Sequence, residues 1–174
     1  MRTKAMATAL SLGMAATFTG FSASTANAYT NSDLSVSDWS RYTVECPCSD
    51  NSGLDFTEFK YDSGGKGLKL VVKKNNSPVA QVEFHPSDEI LYVYDGKNDG
   101  DTIYVRAMWW EGSGFIKEEG TYWAPGTSAE LDMNKIEMDD NDDIDEGTVV
   151  YFRLFDDKAL TDPITDWYEY NGKA

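Results

Sequence analysis

TIYVRAMWW occupies positions 102–110, and the phase of this nonapeptide decides the fold. In an extended chain successive side chains point to opposite faces. Ile103, Val105, Ala107 and Trp109 then share one face, and Tyr104, Arg106, Met108 and Trp110 share the other. The first row is apolar throughout and suits a core. The second sets an arginine among aromatic and thioether side chains, a surface that is neither plain core nor plain solvent face. β-Branched and aromatic residues at a period of two predict a strand.

The same alternation recurs on both sides of this stretch. GLKLVVKK (67–74), PVAQVEF (78–84), EILYVYD (89–95) and TVVYFRLF (148–155) repeat it, and RYTVEC (41–46) sets Tyr42, Val44 and Cys46 on one side. LDFTEFKY (54–61), GTYW (120–123), AELDM (129–133) and WYEY (167–170) are weaker strand segments. The breaks DSGGKG, KNNSP, DGKNDGD, EGSG and APGTS carry the glycine, proline and asparagine of turns. No segment holds a 3.6-residue period with caps. About eight short strands predict an all-β fold, a single antiparallel β-sandwich over residues 29–174. YTNSD (29–33) has no pattern and reads as disordered.

On this reading DGKNDGD is a hairpin between EILYVYD and TIYVRAMWW. Tyr92 and Tyr94 would then lie beside Tyr104, Arg106 and Trp110, and these five form the candidate ligand-binding face. Such a face stacks on sugar rings or anchors a protein partner. The competing reading buries both faces, with Arg106 covering its aromatic neighbours.

The ends of the chain bear on where it acts. MRTK is basic, Ala5–Phe21 is an uncharged run of small and apolar residues, and Ala26-Asn27-Ala28 is a small-x-small site. This is the pattern of a cleaved secretory leader at 1–28, which makes the mature protein secreted and extracellular. The run is too short and too diluted for a spanning helix, and no later stretch is long and apolar enough, so stable membrane insertion is not expected. After Ala28 there are thirteen basic and thirty acidic residues, a net charge near −17. That field repels phosphate backbones and argues against nucleic acid partners. Extracellular carbohydrate or protein is the expected partner class.

The two cysteines, Cys46 and Cys48, flank Pro47. In a secreted chain an even count predicts a disulfide, either within the chain or between chains. A two-thiolate metal site would lack further ligands. Enzyme motifs are missing: there is no G-x-S-x-G, H-E-x-x-H or P-loop. The single histidine, His85, precedes Pro86 and reads as a surface or turn residue. With thirty acids, a carboxylate pair for glycoside hydrolysis can be drawn almost anywhere and means little.

Three acidic stretches remain. MDDNDDIDEG (138–147) alternates Asn141, Asp143 and Asp145, but counted from Asn141 it lacks the EF-hand glycine at position six, where Glu146 stands, and the glutamate at position twelve, which is Phe152. It reads as a solvated loop. YDGKNDGD brings Asp95, Asp99 and Asp101, and LFDDKALTDPITDW brings Asp156, Asp157, Asp162 and Asp166. The last stretch, taken from Gly147 to Trp167, resembles the end of the calcium-dependent C-two β-sandwich family: an aromatic and Asp at the strand end, a short acidic loop, then Asp-x-Ile. The resemblance implies calcium held by Asp156 and Asp162, helped by acids of another loop such as Asp95, Asp99 and Asp101. It departs from the family where Lys158 replaces an aspartate and Thr165 replaces a glycine.

The sequence thus predicts a secreted acidic module that binds without catalysis and is stabilised by calcium. The alternatives are a secreted polysaccharide hydrolase with a carboxylate pair, and a secreted effector or inhibitor that acts on another protein.

Overall fold

A computed structural model of the chain describes residues 29–98, 100–112, 114, 116–126, 130–138 and 144–174. Residues 1–28, where the leader is expected, Asp99 and the centre of MDDNDDIDEG lie outside the described residues. The fold is all-β. Among the described residues there is no α-helix, and no helix is long and apolar enough to cross a membrane.

Nine strands form one antiparallel sheet: β1 (Leu34–Tyr42), β4 (Lys66–Lys74), β5 (Ser77–His85), β6 (Ile90–Asp95), β7 (Tyr104–Trp110), β8 (Ile116–Tyr122), β9 (Asp132–Glu137), β10 (Val149–Phe155) and β11 (Tyr170–Lys173). β2 (Cys48–Ser49) and β3 (Glu58–Phe59) make a separate two-stranded ribbon. The order is β8-β7-β10-β11-β4-β5-β6-β9, with β1 also paired to β4. β11 meets β4 through one pair, Lys173 with Lys66. The sheet curls about this narrow junction, and its two halves pack apolar faces together. Leu68, Leu70, Val82, Phe84, Leu91 and Val93 meet Val105, Ala107, Trp109, Val150, Phe152 and Leu154 in one core. Phe84 and Phe152 have ring centroids 5.3 Å apart across it. The expected all-β antiparallel fold is present, as one curled sheet.

Local chemistry accounts for the strand connections. Asn75 and Asn76 both take positive φ, 51° and 64°, as the two-residue turn between β4 and β5 requires. Pairing is then irregular between Val72 and Lys73. Counted from the turn, Lys69 would face Val82; the irregularity moves the register by one and sets Lys69 opposite Glu83.

Three expectations need correction. RYTVEC is not a strand of its own: β1 ends at Tyr42, and Thr43–Glu45 is a 3-10 turn. Thr43 is buried, giving its N–H and its hydroxyl to the Gly65 carbonyl at 2.9 and 3.1 Å, so Val44 points to solvent. DGKNDGD is not a hairpin. β6 pairs with β5 and β9, whereas β7 pairs with β10 and β8, so the segment crosses from one half of the sheet to the other. The crossing packs on Gly126, where a Cβ would sit 2.5 Å from the Asp101 carbonyl oxygen and 3.0 Å from Asp95 Oδ2. Finally, YTNSD is ordered: Tyr29 is buried in the core, and residues 31–33 form a 3-10 turn that leads into β1.

Candidate functional site

Each half of the sheet has an outer face, and the two are finished differently. On β4, β5 and β6 the side chains opposite the core are Lys69, Val71, Gln81, Glu83, His85, Tyr92 and Tyr94. Three of these are polar yet fully buried: Lys69, Gln81 and Glu83 are each 0 % exposed. The cover is the chain from Cys46 to Asp62. It is drawn together by the Cys46–Cys48 disulfide, with Cα atoms 4.4 Å apart, and by the β2–β3 ribbon.

A buried ammonium is tolerated only when its hydrogens are all received and its charge is matched. Lys69 Nζ donates to the carbonyl oxygens of Asp55 at 2.7 Å and Asp50 at 2.9 Å, and it lies 3.3 Å from Glu83 Oε1. Glu83 Oε1 also accepts from Gln81 Nε2 at 2.8 Å, and Glu83 Oε2 lies 3.2 Å from His85 Nε2. Gln81 Oε1 in turn accepts the Leu54 N–H at 2.7 Å. Phe59 stacks on His85 at 4.2 Å and touches Trp39 at 4.9 Å, while His85 meets Tyr92 edge-on at 5.0 Å. The Tyr94 hydroxyl lies 3.3 Å from Thr57 Oγ1. Burial, and after it the Glu83 charge, pushes the Tyr94 phenol far above the ordinary range. His85 is therefore not a surface residue. The acid and base types gathered here are enclosed by protein on both sides.

Sequence reasoning missed this network. Opposite charges at alternate positions of adjacent strands were the available signal, but the register shift between Val72 and Lys73 hides the Lys69–Glu83 pairing from a simple count back from the turn.

The outer face of β7 and β10 is partly exposed, with Met108 and Phe155 on it buried at 3 % and 4 %. Its outward residues pair across the strands: Met108 with Tyr151, Arg106 with Arg153, Tyr104 with Phe155, and Trp110 beyond them. Tyr104 to Trp110 spans about 20 Å of strand. Further aromatics stand over this ladder. Tyr168 meets Tyr151 edge-on at 5.0 Å, Trp167 lies 5.5 Å from the Arg153 guanidinium, and Trp123 lies 5.9 Å from Tyr104. Lys158 sits 5.0 Å over the Trp123 ring. Trp110, Trp123 and Tyr168 remain 49 %, 37 % and 53 % exposed. Burial, followed by the charges of Asp101 and Asp157, raises the Tyr104 phenol. Arg153 Nε donates to the Thr165 carbonyl at 3.0 Å, which holds the guanidinium flat against the face.

The five expected ligand residues thus divide. Tyr104, Arg106 and Trp110 share the open face, while Tyr92 and Tyr94 line the sealed one. The face instead gains Tyr151, Arg153, Trp167, Tyr168 and Trp123. The segments carrying the last three show little alternation, so their contribution was not readable.

The expected metal residues have the following hydrogen-bond partners. Asp95 is buried and accepts the Lys97 N–H at 2.8 Å. Both Asp156 oxygens face the Tyr29 nitrogen, at 3.0 and 3.2 Å. Asp162 Oδ1 accepts from Asn31 Nδ2 at 2.5 Å. Asp157, which was not assigned a role, caps its own loop through the N–H groups of Thr161 and Asp162, each at 2.8 Å. Burial opposes ionisation of Asp157, but these hydrogen bonds outweigh it and hold the carboxyl below the usual range. Asp101 closes the crossing described above, and Asp99 is outside the described residues. Among the described residues no three His, Cys, Asp or Glu side chains are grouped to hold a metal ion.

Comparison with known proteins brings no family model, no curated protein and no solved structure that matches this chain.

Proposed function

We propose that residues 29–174 are exported behind the 1–28 leader and act outside the cell as a binding module without catalysis, through the open face of β7 and β10. In this reading the two halves of the curled sheet are the two layers of a β-sandwich, one layer sealed and one presented. The observation that carries the proposal is the half-exposed array of Trp110, Trp123 and Tyr168 around Arg106 and Arg153. Trp, Tyr and Arg are the side chains that dominate the energetics of protein interfaces. Trp123 packs on Tyr104 and Tyr168 on Tyr151, so these rings lose little side-chain freedom on binding. The partner class favoured by this composition is a protein. The hydrolase alternative, which needs a carboxylate pair, has no comparable observation behind it. Calcium is not part of this proposal, since the Asp156 carboxylate is directed at Tyr29.

The test places a photo-crosslinking residue at position 110 in the secreted protein, with a control at the exposed Tyr61 of the opposite cover. One protein adduct from position 110, absent from position 61 and lost with Trp123→Ala and Tyr168→Ala, is the expected result. Co-sedimentation with cellulose, chitin or peptidoglycan that depends on Trp110 would replace the protein partner with a polysaccharide. Release of soluble sugar from any of them would overturn the non-catalytic reading.

A further inference from the structure

Tyr29 begins the described chain with its ring inside the core, 5 % exposed, and with Lys74 Nζ 4.7 Å above that ring. Its backbone nitrogen lies 3.0 Å from Oδ1 and 3.2 Å from Oδ2 of Asp156, a carboxylate only 3 % exposed. The neighbouring residues are tied to the same loop: Asn31 Nδ2 donates to Asp162 and, at 3.2 Å, to the Pro163 carbonyl. Two features of this contact fit a peptide nitrogen poorly. A peptide N–H has one hydrogen and faces two acceptors, whereas an α-ammonium has three. Asp156 is also a buried carboxylate beside other acids. Burial, though offset in part by the Tyr29 N–H, pushes its carboxyl up, and the charges of Asp162, Asp101 and Asp157 push it further. A buried carboxylate in such a field calls for a cation. The nearby cation, Lys74, lies over the tyrosine ring instead.

We propose that cleavage between Ala28 and Tyr29 creates an α-ammonium at Tyr29 which Asp156 holds as a buried ion pair, so that maturation of the chain completes its fold. The inference rests on the export reading above. The chemistry is hydrolysis of one amide by an endopeptidase of the secretory route. Water adds across the Ala28–Tyr29 bond, Ala28 leaves as a carboxylate, and the released nitrogen takes up protons to become the ammonium. Uncleaved, the site offers Asp156 one hydrogen and no charge. Cleaved, it offers three hydrogens and a full positive charge among Asp156, Asp101, Asp157 and Asp162. The signal for cleavage in the sequence and the acceptor for its product in the fold then belong to one device.

The test compares the full chain, exported from a secretory host, with the same chain carrying Gly-Ser inserted between Ala28 and Tyr29. The insertion changes no buried side chain, so both fold. Intact mass identifies each starting residue. The native start is expected to melt about 3–6 °C above the extended one. Its α-amine should resist acylation by an N-hydroxysuccinimide ester at neutral pH, while the extended amine reacts. Asp156→Asn should remove both differences. Equal melting with equally reactive amines, on a chain shown to begin at Tyr29, overturns the ion pair and leaves the export reading intact. A chain that begins elsewhere overturns the export reading itself.

Discussion

The β4–β6 half and the β7–β10 half obey the same alternation, yet their outward residues meet opposite fates. Tyr94 is buried beneath the Cys46–Asp62 cover and Tyr92 beside it is partly buried, whereas Trp110 and Tyr168 are half in water. The difference lies in what the polar members of each face require. Lys69, Gln81 and Glu83 are fully enclosed; the carbonyls of Asp50 and Asp55 receive the Lys69 ammonium, and the Leu54 N–H donates to Gln81 Oε1. Arg106 and Arg153 keep contact with solvent, and Arg153 packs its plane against Phe155 and Trp167. A strand pattern therefore tells which side chains leave the core, but not whether another segment will cross over them.

The contrast breaks most readily at Glu83. Glu83→Leu leaves the buried Lys69 ammonium with only the more distant Asp50 carboxylate, 3.9 Å away, and should cost about 3–5 kcal/mol in urea unfolding. Lys69→Met combined with Glu83→Leu should recover most of that loss, since a matched apolar pair replaces a matched ionic one. A double variant as unstable as the single would mean that the carbonyls of the cover, rather than the charge pair, hold the site. Adjacent tryptophans on β7 sharpen the same point. Trp109→Ala, inside the core, should cost about 3–5 kcal/mol, while Trp110→Ala should cost less than about 1 kcal/mol and act on partner binding instead. Reversed costs would invert the phase of β7 and remove the open face.

Alkaline pH tests the sealing more gently. Burial raises the Tyr94 phenol, and burial with the Glu169 hydrogen bond pushes Tyr170 up to about 12. A phenol with a raised folded pKa binds its proton more tightly in the folded state. Its contribution is whole below the unfolded value, about 10, and is lost as pH rises beyond it. Thermal melts should fall between pH 10 and 12, and Tyr94→Phe should flatten that fall. The smallest expected effect is that of calcium, which should shift the melting temperature no more than magnesium does at matched ionic strength. A calcium-selective rise lost in Asp156→Asn with Asp162→Asn would restore the cation reading of the loop after β10.

β4, β5, β6, β7 and β10 were legible because β-branched and aromatic residues alternate along them without interruption. β1 was not: its serines and aspartate dilute Leu34, Val36 and Trp39 below a readable pattern, although it pairs with β4 along its whole length. The open face was legible only through Tyr104, Arg106 and Trp110. Its other members come from β10 and from segments without alternation. The pairing of Tyr92 with that face failed because DGKNDGD has hairpin composition but spans two halves of a curled sheet. The acidic loops are ambiguous for a related reason: a carboxylate can cap a loop, accept a backbone N–H or hold calcium, and composition does not distinguish these uses.

Hydroxyl-radical footprinting of the free protein, with residue-level rates read by mass spectrometry, tests the two-face account most directly. The account predicts fast oxidation at Trp110, Trp123 and Tyr168 and strong protection at Tyr94, His85 and Phe59. Oxidation of Tyr94 and His85 at rates matching Trp110 would mean that the cover stands open, and the division into a sealed and a presented face would be wrong.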